Sequence, residues 1–109
     1  MTGIAAACSI RYRAEAIHDL KCILDYGLAQ GHRDPKGFLA DLRKRIGLLS
    51  ENPEAGLESP DEPRTRELIL RITKRLSFVA FYEFDAVKRR VTVTRVLHNA
   101  HPLLSESPP

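Results

Sequence analysis

The chain has 109 residues, of which 43% are hydrophobic and 28% charged. That length suits one domain, which buries roughly 65% of the surface its unfolded chain exposes and is too short for two independent cores. The balance of charged and apolar residues excludes a disordered chain and a chain that lies wholly in a membrane.

The net charge of +3 is unevenly spread. Residues 1–63 carry 8 basic and 10 acidic side chains, whereas residues 64–95 carry 9 basic and 3 acidic, a local excess of +6. Such clustering suits an anionic partner, either nucleic acid or an acidic protein. Lys and Arg also guard sheet edges against mispairing, so the charge alone leaves both readings open. The two cysteines, Cys8 and Cys22, form no C-x-x-C pair or disulfide framework and read as small thiols. Ile4 to Cys8 is too short for a spanning helix and has no basic flank of the kind a signal peptide needs, so the expected location is the cytoplasm.

Residues 1–7 read as a loose terminus, followed by a modest strand from Cys8 to Arg13 in which Ile10 and Tyr12 alternate with polar residues. A helix is expected from Ala14 to Gln30, with Ile17, Leu20, Leu24 and Leu28 along one stripe and Ile23 and Gly27 on its flank. Glu15 and Asp19 suit its first turns, and Gly31 suits its stop. Asp34 and Pro35 read as N-cap and first position of a second helix, which carries Phe38, Leu42, Ile46 and Leu49 at intervals of four, four and three. The short connection predicts a helical hairpin, which must bury both stripes against a sheet. The acidic stretch from Asn52 to Arg64, punctuated by Pro53, Gly56, Pro60 and Pro63, reads as an irregular connector.

From Arg66 to His98 the sequence predicts three strands. The central one, Phe78 to Phe84, holds three of the four phenylalanines. It is flanked by the apolar runs Leu68 to Ile72 and Val91 to Leu97. The breaks, Thr73 to Arg75 and Asp85 to Arg90, are too short for a parallel crossover and predict an antiparallel meander. The central strand has apolar residues on both faces, so one face takes the helices and the other is open to a partner. The order β-α-α-β-β-β defines an α+β domain with a helical hairpin on a four-stranded, mostly antiparallel sheet. Residues 105–109 read as a flexible tail.

Arg66-Glu67-Leu68, the aromatic strand ending Phe81-Tyr82-Glu83-Phe84, and Val91-x-Val93-x-Arg95-Val96-Leu97-His98 resemble the RelE/ParE toxin superfamily. Asp19-Leu20, Ile23 and Tyr26, Leu42 and Leu49, and the Pro53-x-x-Gly56 turn resemble its quieter signatures, and the likeness covers most of residues 10 to 102. The cadence lies closer to the ParE branch. The resemblance implies the toxin of a type II toxin–antitoxin system, associated with plasmid stabilisation and growth inhibition, that acts as an inhibitor of DNA gyrase rather than as an enzyme. It also implies a cognate antitoxin whose C-terminal segment docks on the toxin, with Arg66, Arg71, Arg75, Phe81 and Arg95 as candidate contacts.

The alternatives are a RelE-type, ribosome-dependent mRNA endonuclease and a non-toxic binding module of the same fold. RNA cleavage of that kind needs no metal: a base takes the 2′-hydroxyl proton, cations hold the phosphate and an acid protonates the leaving oxygen. His98 suits the base or acid, Arg71, Arg75 or Arg95 the phosphate, and Glu83 or Tyr82 an assisting role. Against this, the chain ends in acidic and prolyl residues with no Tyr after His98; Glu83, where the family often has Arg, and Asn99-Ala100, where it has basic residues, depart from the pattern for either target. The favoured reading assigns no catalytic residue and has His98 close the last strand. His98 and His101 lack Cys or acidic companions, so neither a metal nor a cofactor is expected. His18 and His32 read as surface or helix-end residues.

Overall fold

The computed structural model describes residues 7–29, 35–60, 62, 64–72 and 77–98. Residues 1–6 of the expected loose start, the expected flexible tail, the Gly31 stop, the Asp34 cap, the turn with Arg75, and His32 and His101 lie outside the described residues. The elements are β1 (Ser9–Tyr12), α1 (Ala14–Ala29), α2 (Pro35–Gly47), a 3-10 turn (Leu48–Ser50), β2 (Leu57–Glu58), β3 (Thr65–Arg71), β4 (Ser77–Asp85) and β5 (Arg90–His98). They form one sheet in the order β1-β5-β4-β3-β2, with β1 parallel to β5 and every other pair antiparallel. The α+β class, the helical pair and the β3-β4-β5 meander match the sequence reading.

The strand count does not. The expected four strands are five, because Leu57 and Glu58, placed by sequence in an irregular connector, pair with Glu67 and Arg66 at the sheet edge. Two residues are too few to display an alternation, so the pairing leaves no periodic signal.

Both helices cover one face of the sheet. That face carries Phe78, Ala80 and Tyr82 of β4 beside Val91, Val93 and Val96 of β5, and it meets Ala16 and Leu20 of α1 and Leu42 and Ile46 of α2, all buried. Leu49, in the 3-10 turn, extends the α2 stripe into the core, and Phe38 lies edge-on to Phe78 at 5.5 Å between ring centroids. The buried stripe of α1 is rotated from the expected one. Ile17 is 45% exposed, while Ala16 and Asp19 join Leu20 on the inner side. Residues 16, 19, 20 and 23 follow the i, i+3, i+4, i+7 rule as well as the apolar set does, but one of them is a carboxylate.

Tyr82 is the largest fully buried side chain and the clasp of the connector. Its hydroxyl donates to the Pro53 carbonyl at 2.7 Å and accepts the Gly56 amide at 2.9 Å. Burial pushes its phenol pKa up, against a lowering by the Gly56 amide. A Cβ at Gly56 would stand 2.7 Å from that hydroxyl and 2.9 Å from the Glu67 carbonyl, so only glycine admits this approach.

Tyr82→Phe keeps the ring but leaves a buried amide and carbonyl without their shared partner, and should lower stability by about 1–3 kcal/mol. Gly56→Ala should destabilise through the clash with backbone. Urea unfolding of both variants checks this, and a Tyr82→Phe protein as stable as the parent would show that the clasp is dispensable.

Candidate functional site

β1 leaves the sheet early. Its last rung is the bond from the Arg13 amide to the Val93 carbonyl at 2.9 Å, after which the chain turns into α1. Beyond Val93, β5 keeps β4 on one side but has no strand on the other among the described residues, and its Val96 amide, nearly without solvent, needs an acceptor. Asp19 supplies one: its Oδ2 accepts the Val96 N–H at 3.0 Å and the Arg95 Nε–H at 2.7 Å, and its Oδ1 accepts from Arg95 Nη2 at 3.1 Å. The paired carboxylate raises the Arg95 pKa further.

A register shift brings Arg95 to this bond. Phe81 pairs with Arg95 but Tyr82 pairs with Val93, so Thr94 is an extra residue in β5, and its Oγ1 donates to the Phe81 carbonyl at 3.2 Å. Such a bulge re-aims the side chain beside it. It also explains why Val91 and Val93, then Val96 and His98, all register with the helix-side residues of β4 despite the change of parity.

The proposed ribonuclease side chains are dispersed by this arrangement. Tyr82 is enclosed beneath the helices and bonded to Pro53 and Gly56. Arg95 is bound to Asp19. Glu83 pairs with Arg13 at 3.4 Å. His98 stacks edge-on against Phe78, 5.2 Å between centroids and opposite it in register, on the helix side. Arg71 ends β3 in an exposed position opposite Ser77.

The helix-free face carries Phe81, half-buried between Glu67 and Arg95 in register. Beside it Val79 and Leu97 oppose each other and are 5% and 6% exposed, while Ile69, next to Val79, is 59% exposed. Arg66 of the proposed partner contacts is a brace: its Nη1 donates to the Gly56 and Glu54 carbonyls at 2.8 and 3.3 Å, and its Nη2 faces the Glu58 and Glu54 carboxylates at 3.5 and 3.7 Å. Away from the sheet, Cys22 Sγ and His18 Nε2 meet at 3.5 Å on exposed α1. Among the described residues no three His, Cys, Asp or Glu groups gather to hold a metal, and no helix is long and apolar enough to cross a membrane.

A cleft of about 550 Å³ opens where β3 begins and β4 turns into β5. Arg64, Arg66, Lys88 and Arg90 line it, with Glu83 and Asp85. The turn is held by Asp85, whose Oδ1 accepts the Val87 and Lys88 amides, each at 3.0 Å. Those amides, chiefly that of Lys88, hold the carboxyl below its ordinary value of 3.8 despite some desolvation, and the Lys88 and Arg90 charges add to the lowering. Arg89 closes the turn with a left-handed φ of 49°. The cleft residues Arg64, Lys88 and Arg90 were not singled out from the sequence. Their signal was the local excess of positive charge, which does not say which cations converge.

A two-helix hairpin on this strand order defines the toxins of the RelE and ParE fold. The model of the family described as ParE toxin of type II toxin-antitoxin system, parDE, matches residues 10–102, and the chain belongs to that family. Among solved structures it is similar to the chromosomal ParDE system from P. aeruginosa, with TM-score 0.68 and 19% identity over 86% of this chain and 98% of that one. It is similar also to the RelBE2 toxin-antitoxin complex from Mycobacterium tuberculosis, with TM-score 0.61 and 22% identity over 84% and 98%. A mutant of E. coli RelE in the free state gives TM-score 0.60 and 17% identity over 90% of each chain. A search of curated protein sequences finds none that matches the chain.

Asp19→Ala should cost about 1–3 kcal/mol, because it strands a buried amide and a partly exposed guanidinium, whereas Asp19→Asn, which keeps an acceptor for Val96, should cost less. Thermal denaturation of the two variants gives the order, and equal losses would show that the charge, not the amide bond, matters. Asp85 provides a pH test. With its folded pKa lowered, its stabilising effect is present above the ordinary value of 3.8 and is lost as pH falls through the lower folded value. Asp85→Ala should therefore melt below the parent at neutral pH, and the gap should close in acid below pH 3.8.

Proposed function

We propose that this type II toxin acts in the cytoplasm by binding its target rather than by cleaving RNA, with DNA gyrase as that target. The observation that carries the reading is the dispersal of the acid–base candidates. General acid–base cleavage needs its groups within hydrogen-bond reach of one phosphodiester. Here His98 packs against Phe78 on the helix side, Tyr82 is bonded beneath the helices, and Glu83 belongs to an ion pair with Arg13. A binding inhibitor makes no such demand, and the ParE family is the one to which the chain belongs.

The proposal includes neutralisation by a cognate antitoxin segment. ParDE and RelBE are themselves toxin–antitoxin pairs. In this chain Ile17 and Tyr26 stand exposed on α1, and Leu57 and Ile69 on the β2 and β3 edge. An amphipathic helix on the hairpin and an extended segment at the edge would cover these apolar groups. Arg71, with Phe81 on the open face, remains a candidate contact.

Induced expression without an antitoxin should arrest growth or cause filamentation, and purified toxin should impair gyrase supercoiling while leaving translated messages intact. His98→Ala should retain most of the supercoiling effect. Message cleavage that falls by orders of magnitude in His98→Ala would instead assign the ribosome-dependent activity, since acid–base groups contribute about 10²–10⁴-fold. Harmless accumulation of folded protein would leave the fold as a binding module.

A further inference from the structure

The cleft at the hairpin end of the sheet is used by neither toxin reading. Among the described residues, Arg64, Lys88 and Arg90 have no ion-pair partner, and the Nε of Arg90 is buried with no hydrogen-bond acceptor. An unsatisfied buried donor on a charged group is costly, and native structures rarely keep one without a water, ligand or ion to complete it. The three cations reach the cleft from different places: Arg64 from the turn before β3, Lys88 from the β4-β5 turn, and Arg90 from the first position of β5.

The acidic residues of the cleft offset these charges only in part: the Asp85 carboxylate interacts with the Lys88 and Arg90 charges but forms an ion pair with neither. Asp85 is committed to the amides of Val87 and Lys88, and Glu83 faces Arg13. Arg66 is already braced by Glu54 and Glu58, so it supports the wall rather than adding free charge. Hence the unpaired positive charge is concentrated on three side chains, one of which presents an orphaned donor.

We propose that this cleft binds a phosphate group carried on a nucleotide-sized molecule or on a nucleic-acid strand. A phosphate has several terminal oxygens and up to two charges, and can accept from guanidinium and ammonium groups that arrive from several directions. A single carboxylate offers one charge and two oxygens, whereas a terminal phosphate offers three oxygens, one for each cation, and a strand offers successive phosphodiesters, each with its own charge. The cleft's volume of about 550 Å³ falls in the range of small-molecule sites, larger than an isolated phosphate needs. Glu83 and Asp85 on its wall each engage one carboxylate oxygen, Oε1 and Oδ1, and the second oxygen of each can accept from the hydroxyl or amino groups that accompany a nucleotide's phosphate. The site stands apart from His98 and from the exposed apolar groups of α1, so it holds whichever target the toxin has.

The test is a ¹H–¹⁵N titration of the full-length chain with three probes: sodium pyrophosphate, adenosine 5′-monophosphate and a single-stranded DNA octamer. Saturable shifts of the Arg64, Lys88 and Arg90 amides with a Kd of about 1 mM or tighter support the site. Arg90→Gln should weaken that binding by about tenfold or more, while Arg45→Gln, an equal loss of charge on α2, should leave it unchanged. Tighter binding of the octamer than of the two small probes assigns the phosphate to a strand, and the reverse order assigns it to a free nucleotide. Absence of shifts at these residues, equal weakening by both variants, or saturation by a poly-glutamate peptide in preference to every phosphate probe would overturn the proposal. A supercoiling assay on Arg90→Gln keeps the two readings separate, since loss of phosphate binding with inhibition intact removes neither.

Discussion

Asp19 is the residue on which the packing of α1 depends. A helix normally docks on a sheet through an apolar stripe, yet here the stripe includes a carboxylate that is buried to 8% exposure. A buried carboxylate is unfavourable unless its oxygens are bonded, and Asp19 has both oxygens engaged with Arg95 and one also with the Val96 amide. The bond is directional where apolar contact is not. It sets the rotation of α1, turns Ile17 outward, and closes the stretch of β5 that β1 abandons at Arg13. Without it, the long strand would show an unpaired edge amide under a helix, where water cannot reach it.

The bulge at Thr94 and the clasp at Tyr82 complete that arrangement. A strictly alternating β5 would oppose Val93 and Val96 across the sheet, one toward the helices and one away. One extra residue restores both to the helix side and brings Arg95 to Asp19. At the β2 edge of the sheet, the Tyr82 hydroxyl ties Pro53 and Gly56 to β4, and Arg66 ties Glu54, Gly56 and Glu58 to β3. The connector thus becomes an edge strand held by side chains, because its own two-residue pairing could not hold it alone.

Much of this fold is legible in the sequence. The alternation in β1, the spacing of Leu42, Ile46 and Leu49, and the apolar runs of β3 to β5 each report a buried face directly. What is not legible is polar and tertiary. Asp19 at the start of a helix is ordinarily a dipole partner, and no periodicity says that it turns inward to meet a residue 76 positions later. The sequence Val91-x-Val93-x-Arg95-Val96 does contain a sign of the bulge, since its apolar residues change parity between 93 and 96. The site residues suffer from the same limit. His98, Tyr82, Glu83 and Arg95 are chemically suited to RNA cleavage as a list, but alternation along each strand and the bonds each side chain makes distribute them over different environments.

The family's residues of interest are therefore largely committed to holding the scaffold. Arg95 and Asp19 fix a helix, Tyr82 and Arg66 fix a connector, and Asp85 fixes a turn. A frame whose polar groups are used up internally leaves recognition to what decorates it: the exposed apolar groups on α1 and the sheet edge, and the cations around the β4-β5 turn. Those positions change without disturbing the core, because a substitution at Lys88 or Ile69 strands no buried partner. Such a separation lets one frame carry different recognition surfaces without loss of its core. On the function proposed above, target choice in this chain would fall to the rim of the sheet, where Arg64, Lys88 and Arg90 make no ion pair among the described residues, rather than to the strand residues that the family pattern makes conspicuous.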